Sequence, residues 1–513
     1  MPEVEPRVPD DARLRDLVRR AADELAVAAP LGAALLSGRS TGLPDGGLAA
    51  HQRESRHLAE IAAELDGLKG LSGDDELDRL ALAHALDRVS HAVTPRPPGG
   101  ELLVERHLLA ALLNLAAAPE PRAEELAALV ESAPGFLEAS RQGCEGAPAV
   151  SGEVALGAAK RLPLLLDLCA AAARSLPISA ALRQRLEASL GELLAAAAED
   201  SGWLLKEYMP TAGPTLPRLT AEPSGLGLSL DQVEAAAEAM LADQAGLDFD
   251  DLAAQRGELP EAPPAFPPGA MPRAAAGLAV VADACRRVEA ASDPWCPDPG
   301  GADFVVEAQP AWLQPLLPPL ALAAGGPLGG APIRLLVGDG VAGLSLRDLD
   351  QELAVIHAAE YLPAAADRRQ RRLARLLLPS PEGREGWRAI ALAGAPGIVR
   401  KHRRELAWRA ILALVALGMG RGRLDIGEAA NLIAAETGMD GETARLQAVH
   451  VAAQPAAALT FIGGAVAVRG AVARIAKNEG DPTGGDVEAS ARTEVLLAGA
   501  LPGVAIHRLG YTP

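Results

Sequence analysis

The stretch LRDLVRRAADELAVAA (14–29) carries leucine, valine and alanine at spacings of three and four residues. This spacing places the apolar side chains on one face of an α-helix. The same pattern recurs in ELDRLALAHALDRVSHAV (76–93), RHLLAALLNLAAA (106–118) and RQRLEASLGELLAAAA (183–198). The sequence therefore predicts a mainly α protein, with an N-terminal helical region over residues 1–255.

Two interruptions divide the helical pattern. The segment RGELPEAPPAFPPGAMPR (256–273) cannot continue a helix, because proline lacks the backbone N–H that a helix interior needs. One more helical stretch follows, and then ADFVVEAQP and APIRLLVGDG, whose β-branched and aliphatic runs between glycine and proline are typical of strands. We predict a middle region over 256–344, made of a proline-rich linker, a helix and a small sheet near 300–340. A C-terminal helical region follows over 345–513.

Composition limits the classes of function. The net charge of −19 and the pI near 5.0 argue against nucleic-acid binding, because an acidic surface repels phosphate. Four cysteines lie far apart without a CxxC pair, so neither a disulfide framework nor a zinc finger is predicted. The abundance of alanine, arginine and glycine is typical of a GC-rich bacterial genome. The N-terminal MPEVEPRVPDDARLRDL lacks the basic start and apolar run of a signal peptide, which predicts a cytoplasmic protein.

One uncharged run, LQAVHVAAQPAAALTFIGGAVAV (446–468), is long enough to cross a bilayer. It contains His450, two glutamines and a central Pro455, which are unfavourable in the middle of a membrane span. We therefore predict a buried pair of helices and no membrane partner.

A glycine-rich motif lies between a predicted strand and a predicted helix. Gly338, Gly340 and Gly343 match G-x-G-x-x-G, in the local context of a dinucleotide phosphate loop. The rest of a dinucleotide unit is missing, because no second strand with an acidic end follows the helix. A plain strand-to-helix turn is the favoured interpretation.

The stretch VIHAAEYLPAAADRRQRRL raises the question of metal chemistry. A thermolysin-like zinc peptidase needs two histidines and a glutamate in HExxH, and this motif is absent from the sequence. His357 and Glu360 are three residues apart and could meet Glu385 from a following helix. A rebuilt metal site or a catalytic carboxylate pair therefore stays open, with Tyr361 and His450 as accessory candidates.

A basic segment follows in this otherwise acidic chain. Residues 367–409 contain twelve arginines and lysines against four aspartates and glutamates. One hypothesis is a patch for an anionic ligand or an acidic partner, formed by Arg371, Arg372, Arg403 and Arg404. The favoured alternative is that these helices form ion pairs with the acidic N-terminal half, each of which contributes little to stability.

The order of these features resembles a large bacterial family catalogued as domain of unknown function 885, made of mainly helical, gluzincin-like metallopeptidase relatives. LRDLVRRAADELA, DDELDRLALAHALD and GLDFDDLAAQ are similar to segments of the family's N-terminal half. GEAANLIAAETGMDGETARLQAVHVAAQPAAALTFIGGAVAVRGA resembles the region in which a TGM helix end precedes a PGQALSYKIG-like helix. The resemblance implies a large helical, zincin-like body.

The family signature is close to H-E-x-x-P-G-H-H, followed further along by E-G-W. Setting Pro363 on the motif proline puts Glu360 at the motif glutamate, and Glu385 then begins the retained E-G-W. Alanines hold the positions of the family's histidines: Ala359, Ala365 and Ala366. Phe461 stands where the family has tyrosine. Because alanine offers no lone pair to a metal, the resemblance implies that the zinc machinery is lost.

These losses imply a catalytically silent relative of the metallopeptidases. Its residual cleft, with Pro363, Trp387 and Phe461, is expected to bind a peptide, a small molecule or a partner protein, without a cofactor and without nucleic acid. The alternative is a hydrolase or lyase with rebuilt chemistry on His357, Glu360 and Glu385, for which zinc would be the cofactor.

Overall fold

The computed structural model of the chain shows a mainly α protein with one small sheet, which confirms the predicted fold class. It describes residues 10–28, 42–43, 45–91, 100–115, 119–144, 146–211, 216, 219, 225–244, 264–266, 271–300, 304–323, 332–370, 372–377, 380–479 and 485–510.

The first half of the described chain is helical. Its helices are α1 (Asp10–Ala28), α2 (Leu48–Asp66), α3 (Gly73–His91), α4 (Gly100–Leu115), α5 (Pro119–Ser140), α6 (Ala149–Ser175), α7 (Ala180–Trp203) and α8 (Leu230–Gln244). A π-helical turn, Leu204–Tyr208, extends α7 into a short last piece at Met209–Thr211. The sequence SLDQ (229–232) has the pattern of a capping box, and the box is present at the start of α8. The N–H of Gln232 donates to the Ser229 hydroxyl at 3.2 Å, and the Ser229 N–H donates to the Gln232 amide oxygen at 2.8 Å.

One more helix lies before the sheet, and helices resume after it and form most of the second half. They are α9 (Ala275–Ser292), α10 (Leu346–Ile356), α11 (Leu362–Arg369), α12 (Leu373–Leu377), α13 (Pro381–Gly394), α14 (Arg400–Gly420), α15 (Ile426–Thr437), α16 (Gly441–Ala453), α17 (Pro455–Glu479), α18 (Gly485–Leu497) and α19 (Gly503–Ile506). A π-helical turn, His357–Tyr361, joins α10 to α11.

The sheet lies where the sequence predicts it. Its strands, β1 (Phe304–Ala308), β2 (Leu320–Ala323) and β3 (Ile333–Val337), are ordered β1–β3–β2, with β1 parallel and β2 antiparallel to β3. The central strand reads IRLLV without alternation and is buried along its whole length, as expected for a strand covered on both faces.

The G-x-G-x-x-G motif forms a strand-to-helix turn, as the favoured interpretation predicts. A 3₁₀ turn at Asp339–Gly343 connects β3 to α10, and the Ser345 hydroxyl caps the helix by accepting the N–H of Asp348. A Cβ at Gly338 would lie 2.3 Å from the side-chain oxygen of Gln309, so this glycine allows close packing. Within the described residues no strand follows α10, and the βαβ unit of a dinucleotide site is not completed.

The three predicted regions share their hydrophobic cores. Leu336 of β3 and Trp312 pack with helices α4 to α7 of the N-terminal region. Val150 and Val154 of α6 pack in the same cluster as Leu406 of α14. Full burial of one such aliphatic side chain contributes about 1.5–3 kcal/mol, so the regions stabilise one another.

Two helices of the C-terminal region cross with their backbones in contact. A Cβ at Gly386 of α13 would lie 2.3 Å from the carbonyl oxygen of Gly464 in α17. A Cβ at Gly464 would lie 2.1 Å from the carbonyl oxygen of Glu382. The glycine of the retained E-G-W sequence is therefore needed for close helix packing.

The long uncharged run forms the predicted helix pair. Helix α16 ends at Ala453, and α17 begins at Pro455. In the described part of the chain, Pro455–Glu479 is the one helix long and apolar enough to span a membrane, and 61% of its most apolar window is buried inside the fold. Its burial accounts for its composition as a core helix.

A buried carboxyl group lies in the first turn of α4. Glu101 is 1% exposed and forms a hydrogen bond with Asp200, which also accepts from Nε of Arg141 at 2.5 Å. Burial, followed by the hydrogen bond and the negative charge of Asp200, raises the pKa of Glu101 to about 9. The folded protein therefore holds a proton at neutral pH that the unfolded chain releases.

This proton predicts a pH-dependent stability. Because the folded-state pKa of Glu101 lies above its unfolded value, the stabilisation is complete below about pH 4.5 and is lost as the pH rises toward 9. The free energy of unfolding should fall by up to about 1.4 kcal/mol per pH unit in that window. Urea unfolding at several pH values should show a weaker dependence for Glu101→Gln. Glu192→Gln, on the exposed face of α7, is the control and should keep the wild-type slope. Parallel slopes for all three proteins would contradict this assignment.

Candidate functional site

The π-helical turn separates the residues that the sequence places together. In an α-helix, residues three apart share a face, but a π-helical turn with its i→i+5 hydrogen bonds is wider and rotates later residues away. His357 and Glu360 lie within this turn. The ring of His357 instead stacks on Tyr361, four residues later, with centroids 5.3 Å apart and planes inclined by 24°. The His357 ring is therefore paired with Tyr361.

Glu360 lies against a guanidinium. Its Oε1 is 3.3 Å from Nη1 of Arg388, a residue of the helix that carries E-G-W. Arg388 also donates from Nε and Nη2 to both carboxylate oxygens of Glu405, each at 2.8 Å. The hydrogen bond to Glu405 is the largest of the effects that raise the pKa of Arg388, and Glu360 adds to them. This guanidinium therefore stays charged between two carboxylates.

A second guanidinium continues the arrangement to Glu385. Nη2 of Arg409 lies 3.5 Å from Oε1 of Glu405 and 3.8 Å from Oε2 of Glu385. Burial acts to raise the pKa of Glu405, but Arg388 and Arg409 lower it more, so its net pKa is lowered. We call the series Glu360–Arg388–Glu405–Arg409–Glu385 the carboxylate–arginine chain. All five side chains are between about one fifth and two fifths exposed.

The residues at the family's metal-site positions do not fit a zinc centre. Ala359, Ala365 and Ala366 are buried and pack in the largest hydrophobic core. Glu360 and Glu385 face guanidiniums. Across the described ranges, no group of three or more histidines, cysteines, aspartates or glutamates is placed to hold a metal ion. His357 is not brought together with the two glutamates.

The cleft predicted from Pro363, Trp387 and Phe461 is corrected by the structure. Trp387 is buried, and its indole N–H donates to the carbonyl oxygen of Ala358 at 2.8 Å. Phe461 is 1% exposed, with the Arg409 guanidinium 5.5 Å from its ring centroid. Pro363 and Trp387 border a cavity of about 30 Å³, which is too small for an organic ligand. Trp387 and Phe461 are large apolar groups, and they fill the core.

The basic segment is divided between two environments. Arg372 donates to Asp75 at 2.6 Å and to Asp78 at 2.9 Å, both on α3, in the ion pairs that the favoured alternative predicts. Arg403 and Arg404 lie half-buried near the start of α14. Arg371 lies outside the described residues. His450, the second accessory candidate, is on the exposed side of α16.

A cavity of about 640 Å³ opens between α9, β1 and the π-helical turn. His357 and Tyr361 both line it, and the Tyr361 hydroxyl donates to Oδ2 of Asp298 at 3.0 Å. Its other walls are mainly apolar and include Leu278, Val288, Phe304, Val306, Leu335, Leu353 and Ile356. Sequence analysis singled out His357 and Tyr361 but missed Asp298 and Phe304, because no motif links these distant segments.

Burial sets the protonation states inside this cavity. It lowers the pKa of His357 to about 4, against the opposing effect of Asp298, so the imidazole is neutral at pH 7. Both ring nitrogens of His357 are buried without a hydrogen-bond partner among the described residues. Burial, with Asp298 and Glu289, raises the pKa of Tyr361 well above its usual value. The cavity therefore offers a neutral imidazole and a phenol that stays protonated.

Comparison with known proteins identifies solved structures with a similar fold. No protein family and no curated protein matches the sequence. The fold is similar to "the putative lipoprotein from Colwellia psychrerythraea", with a TM-score of 0.66 and 14% identity over 98% of both chains. It is also similar to "a putative lipoprotein of unknown function from Shewanella oneidensis", with a TM-score of 0.63 and 13% identity over 96% of this chain and 99% of that one. At this identity the likeness shows the fold alone.

The comparison contradicts the predicted cytoplasmic location. Both solved structures are named as a "putative lipoprotein", and a lipoprotein is held at a membrane by its covalently attached lipid. The prediction from the N-terminal sequence was therefore wrong by this comparison. The prediction depended on the composition of a short N-terminal segment, and that composition does not contain the information that a comparison of whole folds provides.

Proposed function

We propose that this protein is a metal-free, catalytically silent relative of the gluzincin-like family, and that it acts by binding a small molecule. The carboxylate–arginine chain is the observation that carries the proposal. It pairs Glu360 and Glu385, the two glutamates at motif positions, with Arg388 and Arg409. Internal cations thus neutralise the carboxylates on which a zinc site of the family's type would depend.

The positive charges of Arg388 and Arg409 oppose metal binding, in addition to the absence of the histidine ligands. A structural zinc site in a small peptide contributes about 10–16 kcal/mol of apparent binding energy, supplied by ligand lone pairs. Guanidinium has no lone pair to offer, and at an effective dielectric constant of about 20 it repels another unit charge 4 Å away by about 4 kcal/mol. A divalent ion beside Arg388 would meet roughly twice that repulsion.

Structural roles explain why E-G-W would persist without a metal. Gly386 allows α13 to touch α17, and the Trp387 indole holds the π-helical turn through Ala358. Glu385 lies near Arg409. Gly386 and Trp387 therefore support the scaffold, and the cavity beside His357 remains as the place for a ligand.

A peptidase assay tests the proposal. Full-length protein, purified and supplied with zinc at a slight molar excess, should not cleave a mixed library of unblocked and blocked peptides above the rate of a zinc-only control. Mass-spectrometric analysis of the products covers all cleavage positions at once. Zinc-dependent turnover that co-purifies with the protein and disappears in Glu360→Gln would refute the proposal.

A further inference from the structure

We propose that the cavity beside His357 binds a small apolar molecule that carries a protonated amine. This inference rests on the binding role proposed above and adds the chemical class of the ligand. Three features carry it: the size and apolar walls of the cavity, the hydrogen-bonding character of its polar groups, and the aromatic rings that border them.

The size and lining of the cavity suit a compact apolar body. Its volume of about 640 Å³ lies in the range of small-molecule sites, which are mostly apolar with a few placed polar groups. Leu278 and Val288 of α9 face Leu353 and Ile356 of α10 across it. Burying a hydrocarbon group against these side chains removes apolar surface from water.

Three of the polar groups that line the cavity can accept hydrogen bonds: Asp298, Glu289 and His357. Asp298 is held by the backbone N–H of Gly300 at 2.7 Å and by the Tyr361 hydroxyl, and each carboxylate oxygen retains a second lone pair. Glu289 supplies another carboxylate at the exposed rim. The neutral ring of His357 has an acceptor nitrogen without a partner among the described residues. A ligand with several N–H donors matches this set.

The charges select a cation over an anion. Arg286 is the one cationic side chain among the described lining residues, and its guanidinium is bonded to the carboxylate of Asp283 on the same helix. Asp298 and Glu289 therefore give the cavity an excess of negative charge. A carboxylate or phosphate ligand would meet these two like charges, and the Arg286 guanidinium is already paired with Asp283.

Aromatic rings border the acceptors. Phe304 packs edge-on against Tyr361 with ring centroids 5.3 Å apart, and the His357 ring stacks on Tyr361 at the same centroid distance. An ammonium group near such rings is attracted by their negative π faces. The ligand's charge would thus lie among carboxylates and rings, with its hydrocarbon part between α9 and α10.

The test compares three probes of one chain length by isothermal titration calorimetry: hexylamine, 1-hexanol and hexanoate, with the full-length protein at pH 7. Hexylamine should bind saturably, and at least tenfold more tightly than either analogue. Glu289→Gln should weaken hexylamine binding about tenfold, because it removes one negative charge from the exposed rim. The substitution breaks no hydrogen bond that the fold needs. Glu494→Gln is the matched control, since Glu494 is an exposed glutamate lining a different cavity.

Two outcomes would overturn the inference. One is equal affinity for hexylamine and 1-hexanol, which would show that the cavity does not recognise the positive charge of the ligand. The other is the absence of saturable hexylamine binding at millimolar concentrations. If the protein shows no zinc-dependent peptidase activity, either result refutes only the proposed ligand class and does not affect the proposed loss of metal chemistry. Zinc-dependent peptidase activity would refute the proposed function, independently of the result with hexylamine.

Discussion

Replacing Gly464 with alanine is expected to lower the free energy of unfolding by about 3 kcal/mol, at the upper end of the range for overpacked sites. The new methyl carbon would lie 2.1 Å from the carbonyl oxygen of Glu382 and 2.9 Å from the backbone nitrogen of Gly386. Both neighbours are backbone atoms of a helix, so no side-chain rotation can relieve the contact. The two helices would have to move apart along their crossing.

Chemical denaturation in urea measures this effect, with the slope of the transition checked for unchanged cooperativity. Gly191→Ala is the matched control, because Gly191 lies inside α7 and a Cβ there meets nothing within 4 Å. That control should gain about 0.5–1 kcal/mol from the higher helix propensity of alanine. A Gly464→Ala protein as stable as the wild type would show that α13 and α17 do not cross in contact.

Replacing Arg388 with methionine is expected to cost about 2–3 kcal/mol of stability. The change keeps most of the apolar stem but leaves Glu360 and Glu405 without their shared guanidinium. Breaking a buried ion pair costs about 3–5 kcal/mol, and the partial exposure of these groups reduces that figure. The loss should shrink when Glu405→Gln is added, because one unpaired negative charge is then removed.

Thermal and urea unfolding of the single and double variants measure the coupling between Arg388 and Glu405. Arg445→Met provides the comparison, since Arg445 pairs with Glu153 at 2.8 Å while its side chain is 54% exposed. A surface pair of this kind should contribute less than about 1 kcal/mol. Equal losses for Arg388→Met and Arg445→Met would mean that the carboxylate–arginine chain has no special energetic role.

Local patterns predicted much of the fold. The three- and four-residue spacing of leucine and alanine predicts the helices, the SLDQ sequence predicts the cap of α8, and Pro455 marks the start of α17. The run IRLLV between glycine and proline predicts the buried strand. These features are encoded by residues close in sequence, so single-sequence reasoning can recover them.

The site depends on long-range contacts that local patterns do not encode. The basic segment was visible in the sequence, but nothing in it predicts that Arg388 meets Glu405 or that Arg409 approaches Glu385. The π-helical turn that moves His357 away from Glu360 has no sequence signature. The cavity has no sequence signature either, because its walls come from segments that precede, form and follow the sheet in the sequence.

X-ray diffraction at the zinc absorption edge would test our proposal that Glu360 and Glu385 are paired with guanidiniums and bind no metal. Crystals of the full-length protein are soaked in zinc chloride, and anomalous density is sought around both carboxylates. We expect no zinc peak within about 2.0–2.2 Å of their oxygens, the usual zinc–carboxylate distance, and we expect Arg388 in hydrogen-bonding contact with Glu405. A zinc peak bonded to Glu360 and Glu385, with Arg388 displaced, would contradict the proposed metal-free site.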